Sequence, residues 1–217
     1  MVSAQEILKK YWNYNSFKPV QEDIIRHITE KGDAFVLMPT GGGKSLCFQI
    51  PALMMKGMTI VITPLISLMK DQVMRLKSLG INAEAIYSGM TKMDIHRILD
   101  SCLTGKIKLL YLSPERINTS LFKEFANGLH VDLIVADEAH CISQWGYDFR
   151  PAYLKIREAR KIFPKARIMA LTASATPEVV NDIMEHLSIG DAAIFKLSFL
   201  RSNLSYVCRN TTDKRFE

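Results

Sequence analysis

Two short stretches carry residues whose types and spacing could do chemistry on a phosphate chain. The first is Thr40-Gly41-Gly42-Gly43-Lys44-Ser45. Glycines lack a Cβ, so the backbone can take tight or left-handed conformations and bring successive N–H groups against phosphate oxygens. Lys44 would reach the β and γ phosphates of a nucleoside triphosphate, and Ser45 would offer a hydroxyl ligand to magnesium. Met38 stands where the strict phosphate-loop pattern has its first glycine; the Gly-Lys-Ser core remains. The second stretch, far downstream, is Asp137-Glu138, followed by Ala139 and His140. Asp137 is placed to bind magnesium, usually through water, and Glu138 to orient or deprotonate an attacking water. Each stretch alone has a plainer reading, a glycine-rich turn with a surface lysine or an acidic cluster at a helix start. Together they point to a nucleoside-triphosphate site.

The elements that must position these residues are legible from hydrophobic pattern. Ala34 to Met38 is a short apolar run bounded by turn residues, which suits a buried parallel strand. A helix begins near Lys44 and would add its positive N-terminal end to the cradle. Further buried strands are expected at 59–63, 83–87, 107–113, 131–137 and 166–173. Helices are expected at 3–12 with Ser3 as cap, from Pro19 to about Gly32, from Pro64 to about Leu79, at 91–105, at 152–163 and from Pro177. This alternation predicts an α/β fold, a mostly parallel sheet covered on both faces. Ligands of such sheets collect at the carboxyl ends of strands, where both chemical stretches fall.

The whole chain bounds the reading. Its 217 residues, 48% hydrophobic, can build one domain with a sizeable core. No low-complexity segment or fixed-period repeat occurs. The N-terminus lacks the apolar core of a signal peptide, and no run approaches the ~18 apolar residues of a membrane span, so a cytoplasmic protein without membrane contact is expected. Cys47, Cys102, Cys141 and Cys208 lie far apart with neither zinc nor disulfide spacing and read as reduced structural thiols. A net charge of +6 with an isoelectric point near 9.1 weakly favours polyanionic partners.

MPTGGGKS, TPLISLMKDQ (63–72), DEAHCISQWGYDFRP (137–151) and TASAT (172–176), in this order, closely resemble the first RecA-like lobe of superfamily 2 helicases, specifically the RecQ family. The resemblance runs from about Tyr14 to the end. It implies a RecA-like P-loop domain using ATP and Mg2+, with Lys44, Asp137, Glu138 and His140 catalytic and Ser45 and Asp137 on the metal. Tyr14, Phe17, Lys18, Pro19 and Gln21 resemble the adenine-recognising motif, in which the tyrosine stacks on the base and glutamine reads its edge; Lys18 stands where many relatives have Arg. A polar cap with a core tyrosine is the alternative there.

The resemblance also implies a nucleic-acid path. Ser67, Lys70 and Gln72 would hold phosphates, or else form a solvated helix face, and Ser88-Gly89 and Ser113 to Arg116 would continue the track. Trp145, Tyr147 and Phe149 would stack on bases of single-stranded DNA, or, alternating as they do, pack as one strand face. Arg150 would contact DNA or the second lobe. Thr172, Ser174 and Thr176 would couple the two sites. The expected domains are N-terminal helices at 1–32, the ATP-binding lobe at 33–198, and the opening of a second lobe at 199–217, with Ser202 in place of the usual proline. That second lobe, which brings arginines to the γ phosphate in this family, is missing from the chain. The implied function is 3′ to 5′ unwinding of DNA in repair or recombination, by a monomer that is cytoplasmic, or nucleoid-associated in a bacterium. A P-loop kinase or nucleotide switch would explain the phosphate loop but neither Gln21 nor the Trp145 loop. A binding module without catalysis is opposed by intact Lys44, Asp137 and Glu138.

Overall fold

A computed structural model describes residues 2–198; the 199–217 segment and Cys208 lie outside the described residues. Seven strands form one parallel sheet: β1 (Ala34–Leu37), β2 (Met58–Ile62), β3 (Ala83–Ile86), β4 (Leu109–Leu112), β5 (Val131–Ala136), β6 (Arg167–Thr172) and β7 (Ala193–Lys196). Their order is β3-β4-β2-β5-β6-β1-β7. β6, late in the chain, thus lies between β1 and β5.

Successive residues of a strand face opposite sides, and the two cores follow that alternation. Phe35, Ile60, Ile62, Leu110, Ile134 and Ile168 face one core, closed by α5 (Lys92–Leu103), α6 (Ser120–Ala126), α7 (Arg157–Ile162) and α8 (Pro177–Leu187). Ala34, Val36, Val61, Tyr111, Val135 and Met169 face the other, closed by α2 (Gln21–Glu30), α3 (Lys44–Met54) and α4 (Ile66–Ser78). α1 (Ala4–Trp12) rests on α2 and α3 through Ile7, Leu8, Ile25 and Ile50. Ser3 caps it in a reciprocal box with Glu6, as its position predicts.

The structure departs from the sequence pattern in four places. Helix α2 starts at Gln21, not Pro19; Pro19 and Val20 form a turn, and Val20 has φ 71°. Residues 152–163 divide into a 3-10 segment, Pro151–Ile156, which Pro151 opens, and the short α7. Pro114 opens a second such segment, Pro114–Asn118, and α6 follows with Thr119 as cap; its seven residues are too few to show a helical stripe. β7 alternates half-buried Ala193 and Phe195 with exposed Ile194 and Lys196, the pattern of an edge rather than of a buried strand.

Asp33, just before β1, is the polar tie of this arrangement. One carboxylate oxygen accepts the Ile168 N–H of β6 at 2.7 Å, and the other pairs with Arg160 of α7. Asp33→Ala leaves both donors partly buried and unpaired. A loss of about 1–3 kcal/mol in unfolding free energy is expected from urea denaturation, larger than for Asp33→Asn; a change within about 0.5 kcal/mol would remove Asp33 from this role.

Candidate active site

The phosphate loop grows directly from the end of β1. Gly41 and Gly43 have φ of 80° and 89°, conformations that disfavour any side chain. Gly42 closes a turn by donating to the Pro39 carbonyl at 3.0 Å, and a Cβ there would lie 2.9 Å from that same oxygen. Met38 is fully buried beneath the loop and reaches the space under Gly42, which is how a large residue substitutes for the patterned glycine. Lys44 and Ser45 open α3 behind a left-handed Gly43.

A cavity of about 710 Å³ opens in front of this turn. Tyr14, Lys18, Gln21, Thr40, Gly41, Gly43, Lys44 and Ser45 line it with Asp137 and Glu138, so ten of the residues selected for the nucleotide site converge; Gly42 does not line it. Tyr14 is half-exposed, its ring available to stack. Lys18 and Gln21 are otherwise engaged. The Gln21 carboxamide, 1% exposed, accepts from the Lys18 N–H at 2.8 Å and donates to the Gly43 carbonyl at 3.1 Å. Lys18 Nζ donates to the Gly41 carbonyl at 2.9 Å. Both side chains brace the phosphate loop, and Gln21 keeps one N–H and one lone pair for a base edge.

Asp137 and Glu138 follow β5. The Asp137 N–H donates to the Ile62 carbonyl at 2.9 Å, continuing the sheet, and its own carbonyl accepts the Tyr153 hydroxyl at 3.0 Å. Glu138 turns the chain in the left-handed region, φ 50°, and places its carboxylate 3.4 Å from His140 Nδ1. The same nitrogen lies 2.9 Å from Thr172 Oγ1 at the end of β6. Burial holds His140 below its usual imidazole range, against the pull of Glu138, so at neutral pH the ring is uncharged. Thr172 Oγ1 also accepts the Ser174 N–H at 3.3 Å, and Thr176 caps α8. Asp137 is 5% exposed and has no ion-pair partner among the described residues. A buried carboxylate with a serine hydroxyl on the same cavity is the hard oxygen donor set that suits magnesium.

A 3-10 segment, Ala139–Ile142, carries His140; beyond it the chain leaves regular structure up to Pro151, and no strand exists for the three alternating rings. Trp145 and Tyr147 are 80% and 78% exposed, and Phe149 is half-buried. Tyr147 stacks on the His140 ring, centroids 4.7 Å apart. Arg150 is also tied within the lobe. Its guanidinium pairs with Asp148 at 3.1 Å and donates to the Pro64 carbonyl at 3.2 Å, anchoring the loop to the β2–α4 connection. Ser67 and Lys70 are exposed on α4, Lys70 resting over the Tyr87 ring, and Ser88 donates to Glu115. Gln72, on the same helix, is placed differently. It turns inward, lines the cavity and accepts from the Tyr111 hydroxyl at 3.0 Å.

Sequence reasoning missed Val20, Gln49, Tyr111 and Tyr153. Val20 carries no polar signal, the Tyr153 hydroxyl meets a main-chain carbonyl that no side-chain pattern announces, and a glutamine in an apolar helix gives no sign that distinguishes a bridge from a surface residue. His140, Cys141 and Asp148 come close enough to hold a metal ion, but Arg150 already occupies the Asp148 carboxylate, and burial pushes the Cys141 thiol up to about 12. Cys47, Cys102 and Cys141 are buried free thiols, as their spacing predicts.

Comparison with known proteins places this geometry. The DEAD/DEAH box helicase family matches residues 18–183. The ATP-dependent DNA helicase RecQ of Bacillus subtilis is 47% identical over 216 residues, 98% of this chain and 36% of that protein. The Haemophilus influenzae protein of the same name is 45% identical, covering 94% of this chain and 33% of its own length. The chain therefore spans about a third of the relatives it matches. Among solved structures, a hypothetical ATP-dependent RNA helicase from Sulfolobus tokodaii superposes with a TM-score of 0.68 at 18% identity, over 91% of this chain and 57% of that one, which speaks to the fold.

Burial, with the charge of Glu138 beside it, pushes the Asp137 carboxyl up to about 6, while Lys44 and the Glu138 N–H work the other way. The folded chain holds this proton more tightly than the unfolded chain does. Ionising Asp137 therefore costs stability, a cost absent below the unfolded carboxylate pKa and complete above the folded one. In magnesium-free buffer, stability relative to Asp137→Asn should fall by on the order of 2–3 kcal/mol as pH rises from about 4 to about 6. Urea midpoints across that range measure it, and parallel profiles for the two proteins would contradict the assignment.

Proposed function

The chain belongs to the DEAD/DEAH box helicases and, within them, to the RecQ family, and from that premise we propose that it is the ATP-binding lobe of an enzyme that couples ATP hydrolysis to 3′ to 5′ unwinding of DNA. One observation carries the reading beyond the family. A single cavity brings the phosphate loop, the acidic pair and Tyr14 together, and His140 joins that cavity to the exposed rings of the Trp145 loop. A kinase or simple switch has no use for the second half of that arrangement.

The residues divide the work. The loop N–H groups and Lys44 hold the triphosphate, with the positive end of α3 behind them. Ser45 and Asp137 would hold magnesium, which would supply neutralisation of charge on the phosphates. Glu138 orients the attacking water and takes its proton, and the neutral His140 holds Glu138 and Thr172 in register. Trp145 and Tyr147 stack on bases of single-stranded DNA, and Ser67, Lys70 and Ser88 touch its phosphates. A second lobe closes on the nucleotide from the far side and supplies arginine, worth ~10³–10⁵ in rate. The reading extends to work in DNA repair or recombination, which the relatives' names as DNA helicases support, and to a cytoplasmic protein, nucleoid-associated in a bacterium, acting as a monomer.

The test is ATP hydrolysis by the whole protein with and without single-stranded DNA, beside Lys44→Ala and Trp145→Ala. Strong stimulation by DNA is expected. Lys44→Ala should lower the stimulated rate by at least about 10²-fold, as loss of a charge-stabilising donor does. Trp145→Ala should leave basal hydrolysis in place and reduce stimulation, since stacking is worth ~1–3 kcal/mol per base. Hydrolysis that ignores DNA, and is unchanged in Trp145→Ala, would return the kinase or switch reading. The chain alone is expected to bind nucleotide and separate no strands.

A further inference from the structure

The nucleotide cavity extends past the phosphate loop into a cleft between α3 and α4, lined by Leu46 and Gln49 on one side and Leu68, Gln72 and Arg75 on the other. Its floor holds three polar groups from three elements. Gln49 of α3, 7% exposed, donates through Nε2 to Gln72 Oε1 at 3.3 Å and, at 3.5 Å, to the Tyr111 hydroxyl. Tyr111 of β4, fully buried, donates its hydroxyl to Gln72 Oε1 at 3.0 Å. The walls around them are apolar, with Phe48, Met69 and Val73 in the same core.

We infer that Gln49, Tyr111 and Gln72 are positioning residues that link nucleotide occupancy to the grip on DNA, through the relative placement of α3 and α4. The inference rests on the functional reading above, which gives each helix a ligand at its N-terminal end. Gln49 is one helical turn beyond Ser45, so a shift of α3 on filling the phosphate loop moves it directly. Gln72 lies about 140° around α4 from Ser67, so one helix turns Ser67 and Lys70 to DNA phosphates and Gln72 to the nucleotide cavity. Apolar side chains packed at the same place would let the helices slide. Hydrogen bonds weaken steeply with misalignment, and a buried amide that loses its partner bears the full cost of desolvation. The trio therefore favours one relative setting of the two helices, and coupling of this kind acts equally in both directions.

The measurement is the affinity of the chain for a labelled oligo(dT), by anisotropy, with and without a saturating non-hydrolysable ATP analogue and magnesium. Nucleotide should change the DNA Kd by on the order of fivefold or more in the unaltered chain. Tyr111→Phe is the decisive variant, because Tyr111 lies beneath the cavity without lining it and the ring that fills the core is kept. It should reduce the change to below about twofold while each single-ligand Kd and the melting temperature stay near those of the unaltered chain. Gln49→Met should do the same to the coupling. A triple variant, Gln49→Met, Tyr111→Phe and Gln72→Met, removes every polar atom of the trio. It should be about as stable as the unaltered chain and still lack coupling; full coupling in that stable variant would reduce the trio to packing and overturn the inference. Full coupling in Tyr111→Phe and Gln49→Met, or none in the unaltered chain, would also overturn it. Failure of the unaltered chain to bind either ligand would instead overturn the functional reading, and the inference with it.

Discussion

The placement of β6 between β1 and β5 is the constraint on which the site depends. Neighbouring strands of a sheet lie about 4.8 Å apart, so two strand ends separated by a third stand about 10 Å apart. That is room for phosphates and a hydrated metal between the loop after β1 and the acids after β5; adjacent strands would leave too little. Main-chain bonds carry the spacing past the strands themselves. The Met38 N–H donates to the Thr172 carbonyl at 3.1 Å, and the Asp137 N–H to the Ile62 carbonyl at 2.9 Å. Thr172, ending the strand in the middle, is then where a hydroxyl must be to meet His140.

Around that spacing the loop is held from outside. A trans peptide sets its carbonyl and the next N–H in opposite directions. Tying the Gly43 carbonyl to Gln21 and to the Leu46 N–H therefore aims the Lys44 N–H the other way, free of any intrahelical partner. The cost of such pre-organisation is visible at the two edges of the cavity. Val20, a β-branched residue, has φ 71° immediately before Gln21, and Glu138 has φ 50° immediately after Asp137. Conformations of this kind persist only where the surroundings enforce them, and they gather at ligand sites.

The sheet, its parallel sense and most of its helices were legible in the chain, because buried strands write continuous apolar runs and helices write stripes. The glycine loop and the acid pair were legible because their chemistry demands particular residue types. Direction was harder to read. Gln72 and Lys70 both look like polar positions of an amphipathic helix, yet one enters a cavity and the other lies on a ring at the surface. Arg150 reads as a free cation until Asp148, two residues away, and Pro64, distant in sequence, are seen around it. Tyr153 supports Asp137 through a hydroxyl whose partner is a main-chain carbonyl, and no side-chain pattern announces a main-chain partner.

Two polar bridges cross this otherwise apolar lobe near the cavity, and they differ in what they join. His140 and Thr172 connect two strand ends, which the sheet already fixes, so that bridge sets the orientation of a ring and of Tyr147 stacked on it. Gln49, Tyr111 and Gln72 connect two helices across a cleft, where the backbone fixes little. A buried polar group seldom adds net stability over a well-packed apolar one. Its advantage is that it is satisfied in few arrangements, so it discriminates between them. On the proposed function, a lobe that reports one ligand to another gains from such discrimination, and the cleft between α3 and α4 is where the phosphate-loop helix and the helix carrying Ser67 and Lys70 meet.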